Sequence, residues 1–175
     1  HEAETYETEI EIILPDRRRG WYALKSRRLG PPVDDVEAVA VPHAAFGKDR
    51  SAHEQAIDAE LQAHGIEVVA LAGYMRVLTP WLVGAWRGRM VNVHPSLLPL
   101  YPGLDTHARA IAAGDTEAGC TVHGVTEGVD EGPILGQVRV PVLPDDTPAS
   151  LAERVKTAEH RLYPRVLHAV CDTFD

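Results

Sequence analysis

The sequence has little of what marks several common classes of protein. Only two cysteines occur in 175 residues, Cys120 and Cys171, which is too few for a disulfide framework and favours a reducing cytoplasm. No apolar run approaches the roughly 18 residues that a membrane span requires, and no signal-peptide pattern opens the sequence. We therefore expect a cytoplasmic protein that does not act in a membrane.

Positive charge is scarce as well. Lys and Arg number 17 against 26 Asp and Glu, which gives a formal net charge of −9. Nucleic acids and anionic membranes select basic surfaces, so this charge argues against both as partners. The run Arg17-Arg18-Arg19 is the exception, and its position after a Pro-Asp pair predicts a solvated turn.

Two familiar catalytic patterns are also absent. There is no G-x-S-x-G nucleophile elbow and no H-E-x-x-H zinc motif, and neither cysteine lies in a nucleophile motif. Cys120 and His123 are three residues apart, a spacing that places them on opposite faces of a strand. We expect neither a metal nor a covalent intermediate. His123 is expected to be a satisfied histidine of the core or behind the site, and four others are expected at the surface or at helix ends: His43, His53, His64 and His168.

What the chain does contain is an alternation of extended and helical patterns. Strands are predicted at 9–14, 36–41, 67–73, 89–94, 119–126 and 134–142. Helices are predicted at 18–30, 49–65, 105–114, after Thr79-Pro80, and from Thr147-Pro148 to about Val170. Such alternation predicts an α/β fold with a mostly parallel sheet and helices on both faces. In this class, ligands bind beyond the carboxyl ends of the strands.

Asn92 and His94 lie at one such strand end, in the stretch "NVHPSLLP". Residues two apart on a strand point to the same face, which puts an amide beside an imidazole. For an isolated N-x-H pair, two incidental polar residues at a strand end are the simpler interpretation. Here the glycine-flanked loop "EGVDEGP" adds Asp130, and the backbone of 73–78, after another strand, can line a pocket. Acyl transfer to an amine needs an oxyanion donor, a proton-transfer group and an orienting carboxylate, and Asn, His and Asp suit these roles.

Two blocks of residues resemble a known family. The N-x-H-P-S-L-L-P block is followed by D-x-G-x-I-x-x-Q, here Asp130, Gly132, Ile134 and Gln137. From about Ile10 to Val170 the chain closely resembles the glycinamide ribonucleotide formyltransferases. The segments "YPGLDTH" and "KTAEHRLYP" are similar to these purine enzymes rather than to relatives acting on methionyl-tRNA or nucleotide sugars. The resemblance implies a Rossmann-like formyltransferase fold and formyl transfer from 10-formyltetrahydrofolate to the amine of glycinamide ribonucleotide, without a metal.

The resemblance also implies roles for particular residues. The catalytic residues would be Asn92, His94 and Asp130. The folate would contact Met75, Arg76, Val77 and Leu78, together with Val125, Thr126, Glu127, Gly128 and Val129. Glycinamide ribonucleotide would contact Arg50, Lys156 and Glu159. On their residue types alone, Lys156 and Glu159 would be an ordinary surface pair of a helix.

One feature departs from the family. Its members open with a strand and a glycine-rich loop that holds the substrate phosphate, whereas "HEAETYETEI" contains no glycine. We expect residues 1–175 to form a single formyltransferase domain, monomeric or homodimeric, without that strand and loop. Two other functions remain open. One is a formyltetrahydrofolate deformylase, in which water replaces the amine, and the other is a folate-binding protein without turnover.

Overall fold

The computed structural model describes residues 9–14, 21–27, 37–74 and 76–174, with side chains from Val39 onward. The predictions for Arg17–Arg19, for Met75 and for the first eight residues lie outside the described residues. Among those described, no helix combines the length and the apolar character that crossing a membrane requires.

The strands and helices follow the predicted alternation at most positions. The strands are β1 (Glu9–Leu14), β2 (Trp21–Arg27), β3 (Glu37–Ala40), β4 (Val68–Ala72), β5 (Met90–His94), β6 (Glu117–Gly124) and β7 (Ile134–Pro141). The α-helices are α1 (Arg50–Ala63), α2 (Pro80–Ala85), α3 (Thr106–Ala113) and α4 (Pro148–Cys171). A short 3-10 helix, His43–Phe46, precedes α1.

The chain divides into two compact units, His1–Met90 and Val91–Asp175. In the first unit the strand order is β3-β1-β2-β4, with β1 antiparallel to both of its neighbours and β2 parallel to β4. Helix α1 begins at an N-cap, Asp49, whose carboxylate accepts a hydrogen bond from Ala52 N at 2.9 Å. The helix buries Ile57 and Leu61 completely, and this apolar side anchors it in the unit.

In the second unit β5, β6 and β7 form an antiparallel ladder. The register places Asn92 opposite His123 and His94 opposite Thr121. The long helix α4 buries an apolar stripe: Leu151, Val155, Tyr163 and Leu167. The hydroxyl of Tyr163 donates to the carbonyl of Val91 at 3.1 Å, which ties α4 to β5. Pairing with β6 and the bond from α4 together fix the position at which β5 ends.

The α/β class is confirmed, with two differences in detail. The helix predicted at 18–30 is wrong, because Trp21–Arg27 is a strand that pairs with β1 on one side and β4 on the other. Its Trp and Tyr suit a strand, and pairing on both sides outweighs the helical pattern. As a result β1 and β2 are antiparallel neighbours. Of the pairings described, β2–β4 is parallel and the rest are antiparallel, which differs from the mostly parallel sheet predicted.

Candidate active site

His94, the last residue of β5, lies buried between two oxygen acceptors. Its Nε2 is 2.9 Å from the carbonyl oxygen of Tyr101, and its Nδ1 is 3.3 Å from Asp130 Oδ2. A carbonyl only accepts, so Nε2 carries a proton and donates it. The opposite nitrogen, Nδ1, faces the Asp130 carboxylate, which orients the ring. His94 can therefore donate hydrogen bonds and can supply a proton.

Asp130 lies in the loop between β6 and β7 with a backbone φ of 56°, in the left-handed region that few non-glycine residues adopt. Its side chain is only 10% exposed. Oδ2, the oxygen that faces His94, also accepts a hydrogen bond from Gly103 N at 2.9 Å. The carboxylate is thus fixed by backbone as well as by the imidazole, as an orienting group for His94 should be.

Asn92 is held from the neighbouring strand by His123. The Nδ1 of His123 is 2.9 Å from the carbonyl oxygen of Gly124 and donates to it, which leaves Nε2 to accept from Asn92 Nδ2 at 3.3 Å. The same Nε2 lies 3.5 Å from Asp130 Oδ1. One N–H of the Asn92 amide remains for a ligand. The structure thus brings Asn92, His94 and Asp130 together, with His123 as a fourth member.

The sequence predicts that His123 lies in the core or behind the site, and the ring is indeed only 3% exposed. Its contact with Asn92 depends on the β5–β6 register, which places the two residues opposite each other. Antiparallel pairing of these strands would have pointed to His123, but the prediction contained no register. Only the structure assigns it to the cluster.

The loop after β5 is held by a buried hydroxyl. Thr121, fully buried, donates from Oγ1 to the carbonyl of Ser96 at 2.7 Å and accepts from Leu98 N at 3.0 Å. Gln137 Nε2 donates to Thr121 Oγ1 at 2.8 Å and to the carbonyl of Leu98 at 3.0 Å. This network fixes the loop that carries the Tyr101 carbonyl. Gln137 of the D-x-G-x-I-x-x-Q block therefore has a structural role, because it bonds to this loop.

His107 is a second imidazole near His94. Its Nε2 is buried and has no hydrogen-bond partner among the described residues. Burial, and to a smaller degree the charge of His94, lower its pKa below the usual histidine value. Both effects favour the neutral form of the His107 ring.

Two glycines of the loop between β6 and β7, Gly128 and Gly132, lie close to other atoms of the chain. A Cβ added at Gly132 would lie 1.7 Å from the carbonyl oxygen of Gly124, so this position admits no side chain. A Cβ at Gly128 would instead meet the side chain of Glu131, with the nearest atom at 2.2 Å. Glu131 is exposed and can rotate away. The strict position is therefore Gly132, two residues after Asp130.

The residues expected to contact folate fall in two segments, one in each unit. Arg76, Val77 and Leu78 lie in irregular structure between β4 and α2, where Val77 is 60% exposed and its carbonyl accepts from Arg50 Nη1 at 3.3 Å. Val125, Thr126, Glu127, Gly128 and Val129 form the loop after β6, where Val129 is 54% exposed.

The residues expected to contact the ribonucleotide are likewise divided. Arg50 is the exposed first residue of α1, and Lys156 and Glu159 lie one turn apart on α4. Burial raises the pKa of Glu159 above the usual glutamate value, although His160 and Lys156 act in the opposite direction. The Glu159 carboxylate is therefore partly buried, unlike the member of a simple surface pair.

The surroundings of Cys120, His53 and His168 can be described in the same way. Burial, followed by the charge of Glu159, raises the pKa of the Cys120 thiol to about 12, so it is not a thiolate nucleophile. His168 is exposed at the end of α4, as predicted. The prediction for His53 is wrong: the ring is 1% exposed and Nε2 donates to the carbonyl of Val41 at 2.9 Å, since α1 packs this side inward. No three His, Cys, Asp or Glu side chains of the described part form a group able to hold a metal ion.

The geometry can now be set beside known proteins. Residues 3–167 match the formyl transferase family. The phosphoribosylglycinamide formyltransferase of Bacillus subtilis (strain 168) is 41% identical over 139 residues, which cover 77% of this chain and 71% of that protein. The trifunctional purine biosynthetic protein adenosine-3 of Drosophila melanogaster is 46% identical over 132 residues, which cover 75% of this chain but 10% of that much longer protein.

A solved structure agrees with the sequence relatives. The crystal structure of phosphoribosylglycinamide formyltransferase from Brucella melitensis superposes with a TM-score of 0.69 at 53% identity, covering 73% of this chain and 65% of that one. The chain thus spans a small part of the trifunctional relatives and less than two thirds of this solved chain. With a family match that extends over nearly all of its residues, the chain belongs to the formyl transferase family.

Proposed function

We propose that this protein transfers the formyl group of 10-formyltetrahydrofolate to the amine of glycinamide ribonucleotide. The observation that carries the proposal is the His94–Asp130 pair beside Asn92, with a distance of 3.3 Å between His94 Nδ1 and Asp130 Oδ2. Relatives named phosphoribosylglycinamide formyltransferase support the choice of substrate. The low cysteine count supports a cytoplasmic setting.

The reaction requires a hydrogen-bond donor to an oxyanion and a group that transfers a proton. The substrate amine attacks the formyl carbon, a new C–N bond forms, the formyl oxygen takes up negative charge, and the bond to the folate nitrogen then breaks. One proton leaves the amine and one reaches the departing nitrogen. Asn92 donates its remaining amide N–H to the developing oxyanion, and His94 donates its Nε2–H there once it releases the Tyr101 carbonyl. His94, oriented by Asp130, is also the group that moves the proton.

Binding is divided between backbone and side chains. We propose that the peptide groups of residues 76–78 pair with the flat pterin ring, beside the exposed apolar side chain of Val77. The loop 125–129 contributes in the same manner. Arg50 and Lys156 provide positive charge for the anionic ribonucleotide, and the Glu159 carboxylate accepts from its amine.

The test is a product assay with the purified chain. Incubation with 10-formyltetrahydrofolate and glycinamide ribonucleotide is expected to give formylated ribonucleotide and tetrahydrofolate in equal amounts. Free formate, formed without the ribonucleotide, would instead indicate a deformylase. Folate binding without either product would indicate a binding protein. His94→Ala serves as the control that removes turnover from the same preparation.

A further inference from the structure

One face of α1 carries three polar side chains at intervals of four residues: Arg50, Glu54 and Asp58. Residues four apart lie above one another on a helix. Each makes a contact with the chain that follows β4: Arg50 Nη1 with the carbonyl of Val77 at 3.3 Å, Glu54 with Thr79, and Asp58 Oδ1 with Trp86 Nε1 at 2.8 Å. The contacts of this helix face therefore extend from Val77, in the middle of the segment 76–78, to Trp86 at the end of α2.

Glu54 is the unusual member of this face, because it is a carboxylate with only 3% of its surface exposed. Its oxygens accept from the backbone N of Thr79 at 2.9 and 3.2 Å, and Oε2 also accepts from the Thr79 hydroxyl. All of these donors belong to one residue and none is a cation. Burying a carboxylate against neutral donors alone is costly, so the position of Glu54 beside Thr79 calls for an explanation.

Thr79, the residue to which Glu54 is bonded, lies at the junction of two parts of the chain. Thr79 is the N-cap of α2, where its hydroxyl oxygen accepts from Leu82 N, and it directly follows the segment 76–78. By fixing both the amide and the hydroxyl of Thr79, Glu54 determines where that segment ends. Arg50 holds its middle from the exposed side. The charge of Glu54 also reaches Tyr74: burial first, and Glu54 second, raise the pKa of the Tyr74 phenol to about 12.

We propose that Glu54 is a positioning residue for folate: its buried carboxylate, bonded to the Thr79 amide and hydroxyl, sets the peptide groups of 76–78 in the geometry that the pterin requires. The inference rests on the proposed function. Asp58 is the matched control on the same helix face, since it accepts from Trp86, the C-cap of α2, and makes no hydrogen bond with the described residues 76–79.

The experiment measures binding of 5-formyltetrahydrofolate, a chemically stable formylfolate, to the full 175-residue chain by calorimetry, with thermal unfolding in parallel. Because Glu54→Ala removes the carboxylate that fixes Thr79, we expect formylfolate to bind about ten- to a hundredfold more weakly, while kcat at saturating folate stays within about threefold. Glu54→Gln retains one acceptor oxygen and gains an N–H that can donate to the Thr79 hydroxyl, so most of the affinity should return. Asp58→Ala should lower the unfolding midpoint but leave the dissociation constant unchanged.

The outcomes separate the inference from the function on which it rests. If the wild-type chain binds no formylfolate, the proposed function fails and the inference fails with it. If the wild type binds and Glu54→Ala binds equally well, only the inference is overturned. Equal weakening by Glu54→Ala and Asp58→Ala would also overturn it, since that indicates general loosening of the unit. Should Glu54→Ala not fold, Thr79→Val removes the hydroxyl alone, and unchanged affinity in that variant would contradict the proposal.

Discussion

The two compact units hold their candidate site residues in opposite ways. In the first unit, side chains fix the position of backbone groups. Arg50 donates a hydrogen bond to the carbonyl of Val77, and Glu54 accepts one from the amide of Thr79. In the second unit, backbone holds side chains, because the rings of His94 and His123 are oriented by the carbonyls of Tyr101 and Gly124. The first arrangement presents peptide groups to a ligand, and the second presents titratable side chains.

This difference has a consequence for substitutions. Where the backbone makes the contact, truncating a side chain of the contacting segment leaves the peptide groups in place. Where a side chain makes the contact, truncation removes the chemistry. We therefore expect changes in the second unit to affect the rate or substrate binding strongly, and changes at the contacting segment of the first unit to affect folate affinity modestly.

The largest effect is expected at the end of β5. His94→Ala and Asn92→Ala each remove a donor to the oxyanion, and kcat should fall by about a hundred- to a thousandfold with folate still bound. Steady-state kinetics together with folate calorimetry measure both quantities. Near-normal rates in either variant would contradict the mechanism.

Substrate binding should depend on Glu159 and on pH. Glu159→Gln removes the carboxylate, and loss of a charged hydrogen bond of about 1.5–3 kcal/mol should weaken glycinamide ribonucleotide about ten- to a hundredfold at neutral pH. Burial raises the pKa of Glu159, so the carboxylate that accepts from the amine is present well above that pKa and is lost as the pH falls through it.

The wild type should therefore lose ribonucleotide affinity toward acid pH, starting above the ordinary glutamate pKa of 4.5. Glu159→Gln has no such carboxylate and should lack this part of the pH profile. Calorimetry at a series of pH values checks the comparison. Identical acid profiles in the two proteins would remove Glu159 from the binding scheme.

The loop that carries Asp130 allows a matched pair of glycine variants. Gly132→Ala places a Cβ 1.7 Å from the Gly124 carbonyl oxygen, so the loop must shift, at a cost of about 1–3 kcal/mol in the free energy of unfolding. Gly128→Ala introduces the same methyl group against the mobile side chain of Glu131 and should cost less. Denaturant unfolding measures both, and kcat should fall only in Gly132→Ala. A larger loss in Gly128→Ala would contradict this account of the loop.

The smallest effect is expected at Arg76. If folate pairs with the peptide groups of 76–78, Arg76→Ala should weaken a formylfolate by less than about tenfold, since the loss of one partly solvated charge is a small term. The same calorimetry as for Glu54 provides the measurement. A loss larger than that of Glu54→Ala would mean that the first unit also binds through a side chain, and the contrast between the units would disappear.

The sequence predicted most of the second unit and of the cluster at the end of β5. Asn92 and His94 follow from spacing two apart at a strand end, and Asp130 from a glycine-flanked loop in a recognisable block. His123 required the β5–β6 register, and Glu54 required the packing of α1 against the chain after β4, neither of which any local pattern contains. The strand at Trp21–Arg27 was missed for a related reason: its pairing partners lie elsewhere in the sequence.

The tryptophans give the first unit an optical signal of its own. All three, Trp21, Trp81 and Trp86, occur before Met90, the last residue of that unit. Trp86 is fully buried with its indole N–H bonded to Asp58, whereas Trp81 is 46% exposed. Intrinsic tryptophan fluorescence therefore reports on the first unit. The second unit, which carries His94, contributes no tryptophan emission. A tryptophan introduced into the second unit would let the two be followed separately during unfolding.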